Sequence, residues 1–268
     1  GRVQPAAVAA RGLHGAAPMT RPGQALLLLC LAAAPLLAGA QQLTVSAAAS
    51  LTQAMRDIAA RFEAARPGVT VRLNFAASGV LLQQIDNGAP VDVFASADQD
   101  TMDRAAARQV IDATTRRDFA ANALVVVAPA GAALPLSRLA DLASAPVRRV
   151  ALGKPAAVPA GRYARQALEG QGLWTALEPR LVFADNVRQV LDYVARAEVE
   201  AGFVYRTDAL LMPDKVDIRF AVSGHAPVAY PLAVVAGSRQ AALARDFAAF
   251  VLGAEAQAVL ARHGFARP

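Results

Sequence analysis

Ser50, Ser78, Ala160 and Val187 stand at the starts of four segments with helical periodicity. A helix start offers N–H groups that have no partner inside the helix and carry a partial positive charge. Ser50 precedes the first of these segments and Gln53 lies three residues on, so S-L-T-Q reads as a capping box. Ser78, in F-A-A-S-G, precedes the second, and Gly79 beside it admits close backbone approach. Pro159-Ala160-Gly161 opens a helix over Arg162–Leu168 and leaves the Ala160 N–H free, while Asp185 or Asn186 opens one running through Arg196 and leaves that of Val187 free. Groups of this kind bind anions, each start contributing about 0.3–1 kcal/mol and up to ~2 when partly buried. Ser and Asn at helix starts are capping residues in most proteins, so a single one carries no function. Four that meet in space would make an anion site, but periodicity does not tell whether they meet.

Signs of catalysis are sparse. The three histidines are His14, His225 and His263; there is no H-E-x-x-H, no pair of cysteines and no G-x-S-x-G. Zinc hydrolysis and a nucleophile elbow are thereby unsupported. Neither G-x-G-x-x-G nor G-x-x-x-x-G-K-[ST] occurs, so no nucleotide cradle is indicated. Ser223 and His225 with some aspartate could form a triad on paper, as such residues could in almost any chain of this length. No catalytic residue and no cofactor is expected.

The elements that must position the four helix starts alternate. Leu43–Ala47 reads as a buried strand; Leu51, Met55, Ile58 and Phe62 then recur at helical spacing until Pro67-Gly68. Val69, Val71, Leu73 and Phe75 alternate with polar residues, a strand of period two, and a short helix over Val80–Asn87 ends at Gly88. Val91–Ala95, Leu124–Ala128, Val150–Leu152, Leu181–Phe183 and Ala201–Tyr205 are further short apolar runs separated by Ala-rich amphipathic stretches. This is the rhythm of a doubly wound parallel sheet, an α/β architecture in which strand-to-helix turns gather at the carboxyl edge where ligands bind. Two halves suit the length, with crossings near Ala121–Ala128 and at Tyr230-Pro231-Leu232. Helices Gln240–Leu252 and Glu255–His263 packing back on the first half would make that half discontinuous and place a hinge and a cleft between the two.

Composition agrees with a globular chain: 268 residues, 55% apolar and 18% charged, with 16 Pro and 18 Gly, exclude a disordered tail or a collagen-like repeat. The net charge of +6 reflects 27 basic against 21 acidic residues, all but Lys154 and Lys215 of the basic ones being Arg, and no window is a basic run for nucleic acid. Residues 25–38, ALLLLCLAAAPLLA, follow Met19 and Arg21 and lead into Ala38-Gly39-Ala40. The run is too short to span a bilayer and suits the apolar region of a secretory signal cleaved after Ala40. Residues 1–18 then read as lying upstream of a start at Met19. Cleavage would remove Cys30, the only cysteine, and Arg2, Arg11 and Arg21, leaving a thiol-free exported chain of net charge +3. Leu27-Leu28-Leu29 rather than small residues precede Cys30, which speaks against lipid attachment there.

Across residues 42–266 the chain resembles the periplasmic molybdate-binding proteins of bacterial ABC transporters. The resemblance rests on L-T-V-S-A-A-A-S-L-T-Q-A-M at 43–55, F-A-A-S-G at 75–79, G-A-P-V-D-V-F-A-S-A-D at 88–98 and L-V-V-V-A-P at 124–129. It continues through V-P-A-G-R-Y-A at 158–164, D-N-V-R-Q-V-L at 185–191, A-G-F-V-Y at 201–205, Y-P-L-A-V-V at 230–235 and H-G-F at 263–265. It implies a type II periplasmic-binding-protein fold, α/β, with two lobes around a hinged cleft: residues 41–122 plus 230–268 as lobe 1 and 123–229 as lobe 2, after residues 1–40 are removed. It also implies that Ser50, Ser78 and Tyr205 offer hydroxyls, and Ala160 and Val187 main-chain N–H groups, to a tetrahedral oxyanion. Many relatives carry a run of serines in the second motif, whereas here Ala77 precedes and Gly79 follows Ser78.

All five groups are neutral donors. Hydrogen bonds to a charged acceptor contribute about 1.5–3 kcal/mol each, so several offset dehydration without a buried Arg. A site with donors only refuses a protonated oxyanion, whose O–H needs an acceptor, and phosphate at neutral pH is partly protonated. Sulfate is smaller than molybdate or tungstate, and a ring of donors set for those leaves it with long bonds. The resemblance thus implies a monomeric periplasmic protein, without enzymatic activity or nucleic-acid partner, that passes molybdate or tungstate to a membrane permease. The alternative is a binder of the same fold for sulfate or another tetrahedral oxyanion; a ferric-ion binder would want paired tyrosines and carboxylates, and a hydrolase a histidine beside Ser50 or Ser78. Asp92 and Asp98 are expected to fix loops and caps rather than bind a metal, and Tyr163 and Arg188 to be supporting or surface residues.

Overall fold

A computed structural model describes residues 40–268. The leader and the cleavage expected after Ala40 fall outside or at the edge of the described residues. Among the described residues no helix is long and apolar enough to cross a membrane.

The strand β1 (Gln41–Ala48) is buried along most of its length because it pairs on both sides, with β2 (Val69–Ala76) and β3 (Val93–Ala95) in parallel. β2 lies at the sheet edge, which explains its alternation: Thr70 and Arg72 are exposed while Val69, Val71 and Leu73 are half-buried. β10 (Val228–Val235) joins β3 antiparallel, and β4 (Ile111–Asn122) closes the sheet antiparallel to β10, giving the order β2-β1-β3-β10-β4. The second sheet has the order β7-β6-β8-β5-β9, built from β5 (Leu124–Pro129), β6 (Val150–Gly153), β7 (Leu181–Ala184), β8 (Ala201–Tyr205) and β9 (Val216–Ala221). Here β6 is parallel to β7 and β8, and β5 antiparallel to β8 and β9.

The architecture is therefore two-lobed α/β, but each sheet is mixed rather than wholly parallel. Periodicity located the buried strands, but the parallel direction expected of all of them fails for β5 and β10, which run antiparallel to β8 and β3. It also missed β4 and β9, the charged outer strands of the two sheets. The chain passes from the first sheet to the second at Asn122–Leu124 and returns between Ala221 and Val228.

The helix Thr52–Ala65 sets Met55, Ile58 and Phe62 against the first sheet, all fully buried. The late helices Ala241–Leu252 and Ala254–Arg262 come back to this same layer: Phe62 meets Phe247 edge-on at 5.0 Å and Phe250 at 5.5 Å. This aromatic cluster ties the end of the chain to its first helix. Phe62→Ala is expected to lower the unfolding free energy by about 3–5 kcal/mol, measured by urea denaturation; a loss under about 1 kcal/mol would mean that the cluster is not a stabilising contact.

Candidate functional site

The parallel strands β1, β3, β6, β7 and β8 send their carboxyl ends toward the space between the two sheets, and the turns that follow them line one small cavity. Ala48, Ala49 and Ser50 come from the end of β1, Ala77 from that of β2, and Ala97 from the turn after β3. From the second sheet come Val158, Pro159 and Ala160 after β6, Val187 after β7, and Tyr205 at the end of β8. Four helix starts that lie far apart in sequence thus face one another across the cleft.

Local sequence explains each approach. Pro159 occupies the first turn of the helix Pro159–Gly170, whose first bond is from Arg162 N–H to the Val158 carbonyl at 3.0 Å, so the Ala160 N–H precedes the ladder. A Cβ at Gly161 would overlap the Gly153 carbonyl oxygen, so glycine is what lets this helix start seat itself on the end of β6. Asn186 caps the helix Val187–Ala195 by accepting the Gln189 N–H at 3.0 Å, and the Val187 N–H is again ahead of the first turn.

The capping box expected at Ser50 and Gln53 does not form. A 3₁₀ turn over Ala49–Leu51 comes first and the α-helix begins at Thr52, with no side-chain cap. Ser50 is freed from capping and its Oγ lies 2.9 Å from Tyr230 Oη, while Gln53 Oε1 accepts from Arg188 at 2.8 Å. Ser78 is the first residue of the helix Ser78–Asp86 and is fully buried. It does not line the cavity; its Oγ accepts the Ala97 N–H at 3.0 Å, between two residues that do, and its proton remains to be donated.

Tyr205 has a different standing. Its hydroxyl is buried without any hydrogen-bond partner, on a side chain that lines the cavity. Burial pushes its phenol well above the ordinary value, with nearby Tyr230 adding to the effect, so the group keeps its proton. A buried donor left without an acceptor costs about 1–3 kcal/mol, and folded proteins keep few of them. The orphaned O–H therefore marks where an acceptor belongs.

Cations surround the cavity without lining it. Arg188 projects from the helix Val187–Ala195 and donates to Asp208 Oδ1 at 2.6 Å, to Gln53, and to the Ser50 carbonyl at 3.0 Å. Arg162 donates to Asp98 Oδ2 at 2.9 Å. The Arg162–Asp98 pair and the Arg188 bonds to Gln53 and the Ser50 carbonyl reach from the layer of the second sheet to that of the first, while Asp208, after β8, stays in the second layer with Arg188. The bond from Gly79 N–H to the Ala157 carbonyl at 2.9 Å crosses as well. A Cβ on Gly79 would stand 2.8 Å from the Ala157 backbone, which is the close approach that glycine permits here. Arg188, expected as supporting or surface, is thus a clasp between the lobes; Tyr230, read only as part of a strand, bonds Ser50, and Asn122 behind it was not singled out in the sequence. The signal was a Tyr in an otherwise aliphatic buried strand, whose hydroxyl must find a partner.

The aspartates serve the scaffold. Asp98 accepts the Thr101 N–H and caps the helix Gln99–Ala107, and Asp92 accepts from the Thr44 N–H at 2.8 Å and Ser238 Oγ at 2.6 Å. Among the described residues no cluster of His, Cys, Asp and Glu could hold a metal ion. The two histidines among the described residues are engaged elsewhere: His225 with the carbonyls of Ala226 and Val222, His263 with Asp57 at 2.7 Å.

Over residues 43–266 the chain matches the family described as Bacterial extracellular solute-binding protein. It is 41% identical over 236 residues to the molybdate-binding protein ModA of Escherichia coli, a match spanning 85% of this chain and 90% of that protein. The solved periplasmic molybdate-binding protein of Azotobacter vinelandii superposes with a TM-score of 0.74 at 24% identity, over 84% of this chain and 99% of that one. The sulfate-binding protein SubI of Mycobacterium tuberculosis superposes almost as well, with a TM-score of 0.72 at 19% identity over 85% of this chain and 87% of that one. At such identities the two structures establish the fold alone.

The Arg188 clasp is testable by itself. Asp208 is fully buried and Arg188 nearly so, and removing one partner of a buried pair costs about 3–5 kcal/mol. Arg188→Ala should lose that much stability near pH 7 in urea denaturation. Burial raises the Asp208 carboxyl above the ordinary 3.8 despite the attraction of Arg188, so the folded chain holds that proton more tightly than the unfolded one. Stability from this group is therefore gained as pH falls toward 3.8, and the deficit of the variant should shrink on acidification. A deficit that grows on acidification would contradict this.

Proposed function

The chain belongs to the bacterial extracellular solute-binding proteins, in their molybdate-binding group, and on that premise we propose that it captures a fully deprotonated tetrahedral oxyanion in the periplasm for an ABC transporter permease. Molybdate is the proposed ligand, with tungstate as its near-equal in size. The observation that carries this reading is the orphaned Tyr205 hydroxyl on a cavity that also receives Ser50 and the helix-start residues Ala160 and Val187. The proposed ligand set is Ser50, Ser78, Tyr205, Ala160 and Val187.

Binding follows from the donor set. The N–H groups at the two helix starts can only donate, and the phenol of Tyr205 keeps its proton. Ser78 accepts from Ala97 and its proton is not spent there, so it is free to donate. Each bond to an anionic oxygen contributes about 1.5–3 kcal/mol, and the partial charge of the helix starts adds to it. Asp98 and Asp208 are tied to Arg162 and Arg188, which keeps carboxylates off the ligand and the arginines off its oxygens. A hydrogen phosphate would bring an O–H with no acceptor to meet it. Sulfate suits the same donor chemistry but, being smaller, would be left with longer hydrogen bonds in a ring set for molybdate, and the fold does not discriminate, since a sulfate binder shares it.

The lobes are proposed to divide at residues 122/123 and 229/230, so that the same contacts made by Arg162, Arg188 and Gly79 close the cleft over the ligand. No chemistry on the ligand is proposed: Ser50 and Ser78 have no histidine as hydrogen-bond partner, so neither is activated as a nucleophile. The exported form is proposed to begin near Gln41 and to act as a monomer.

Calorimetric titration of the purified chain should rank molybdate and tungstate well above sulfate and phosphate; equal affinity for sulfate would replace this assignment with its alternative. Ser50→Ala, Ser78→Ala and Tyr205→Phe should each weaken molybdate by about 1–3 kcal/mol. Unchanged affinity in all three would place the ligand elsewhere.

A further inference from the structure

A serine hydroxyl has a single proton, so Ser50 can serve an anion only if that proton is not spent on another partner. Its Oγ lies 2.9 Å from Tyr230 Oη, a bond that could run in either direction. Were Ser50 the donor there, its lone pairs would face the cavity and repel an anion.

The second partner of Tyr230 decides the direction. Asn122 Nδ2 stands 3.2 Å from Tyr230 Oη and 2.8 Å from Thr207 Oγ1. The orientation of this amide is fixed by its other end, because Asn122 Oδ1 accepts the Ala123 N–H at 2.9 Å and only an oxygen can do that. Nδ2 has no lone pair to offer, so Tyr230 accepts from Asn122, and among the described residues Ser50 Oγ is the other partner of its hydroxyl. Were Ser50 to donate as well, the buried Tyr230 proton would be orphaned at a cost of about 1–3 kcal/mol, so Tyr230 gives it to Ser50. The Ser50 proton is then released toward the cavity.

We propose that Asn122 and Tyr230 form a one-way hydrogen-bond relay that fixes Ser50 as a donor, making both of them positioning residues that set the site's preference for unprotonated oxyanions. This rests on the oxyanion-binding function proposed above. The relay is rigid: Tyr230 is fully buried, with Phe265 edge-on at 5.5 Å and Phe119 at 6.3 Å. Burial also pushes its phenol far above the ordinary value, so the relay does not lose its proton. Asn122 is the last residue of β4, where the chain passes between the sheets, and Thr207 follows β8 of the second sheet. The polarity of one ligand-facing hydroxyl is thereby set by the strand that joins the lobes.

Asn122→Asp inverts the relay without orphaning a group. A carboxylate there accepts from the Ala123 N–H, from the Thr207 O–H and from the Tyr230 O–H; Tyr230 then accepts from Ser50, and Ser50 turns its lone pairs to the ligand. Tyr230→Phe instead removes the middle of the chain. Both variants are to be titrated with molybdate, and with phosphate in competition, alone and in the Ser50→Ala background. Asn122→Asp should weaken molybdate about tenfold or more and lower the ratio of molybdate to phosphate affinity, and this change of ratio should vanish in Asn122→Asp/Ser50→Ala. Tyr230→Phe should weaken molybdate about threefold to tenfold, and less than about twofold once Ser50 is Ala.

Effects of equal size with and without the Ser50 hydroxyl would reduce both residues to packing and charge and overturn the relay. So would tight molybdate binding by the parent with no loss in Ser50→Ala, which leaves the function standing and removes only Ser50 from it. Absence of molybdate binding by the parent would overturn the proposed function and the relay together.

Discussion

An anion can be buried without a buried cation only when its oxygens are met by donors that are already pointed at it. Water otherwise wins, because dehydration is costly and a misdirected dipole contributes nothing. The carboxyl ends of the parallel strands supply the needed geometry by bringing helix starts of both sheets to one cavity. The donors of Ala160 and Val187 need no further arrangement, since a main-chain N–H cannot reverse. Hydroxyls can reverse, and much of the surrounding hydrogen bonding consists of fixing which way they point. The Ala97 N–H occupies the acceptor side of Ser78, and Tyr230 occupies that of Ser50 in the proposed relay.

Charge is kept near this cavity but at one remove. Arg188 and Arg162 could in principle grip an oxyanion directly; instead each is spent on a carboxylate, Arg162 on Asp98 across the cleft and Arg188 on Asp208 within its own lobe. The consequence is a division of labour. The Arg162–Asp98 pair and the Arg188 bonds to Gln53 and Ser50 hold the lobes together, where geometry can give a little. Neutral dipoles line the cavity, where for the proposed ligand a few tenths of an ångström would separate one tetrahedral oxyanion from another. A bound arginine would add attraction to every anion alike and so weaken discrimination. The Arg188 guanidinium on the Ser50 carbonyl ties the proposed closure of the cleft to the placement of a proposed ligand residue.

Much of this was legible in the chain. The runs at Leu43–Ala47, Val150–Leu152 and Ala201–Tyr205 are strands because continuous apolar sequence between turn residues fits a strand covered on both faces, and they lie in β1, β6 and β8. Pro159 and Asn186 mark helix starts by local chemistry that operates whatever the rest of the chain does. The errors have the opposite origin. S-L-T-Q has the letters of a capping box, but a 3₁₀ turn displaced the helix start and a strand 180 residues away took the serine. β4 and β9 were missed because register shifts in their pairing break the period of two, and their charged residues leave no continuous apolar run. Strand direction leaves no trace in periodicity at all.

What the sequence determined by itself is the set of local conformations: where strands run, where helices begin, which N–H groups stay unpaired, and, through motif resemblance, the family. These depend on side-chain shape and hydrogen bonding over a few residues. Only the tertiary structure decided that those helix starts share one cavity, that the Tyr205 hydroxyl is left without a partner there, and that Asn122, Tyr230 and Ser50 form a chain. The reason is physical: a hydroxyl's role as donor or acceptor is set by whatever stands within 3 Å of it, and in this fold those neighbours lie 108 and 180 residues apart in sequence.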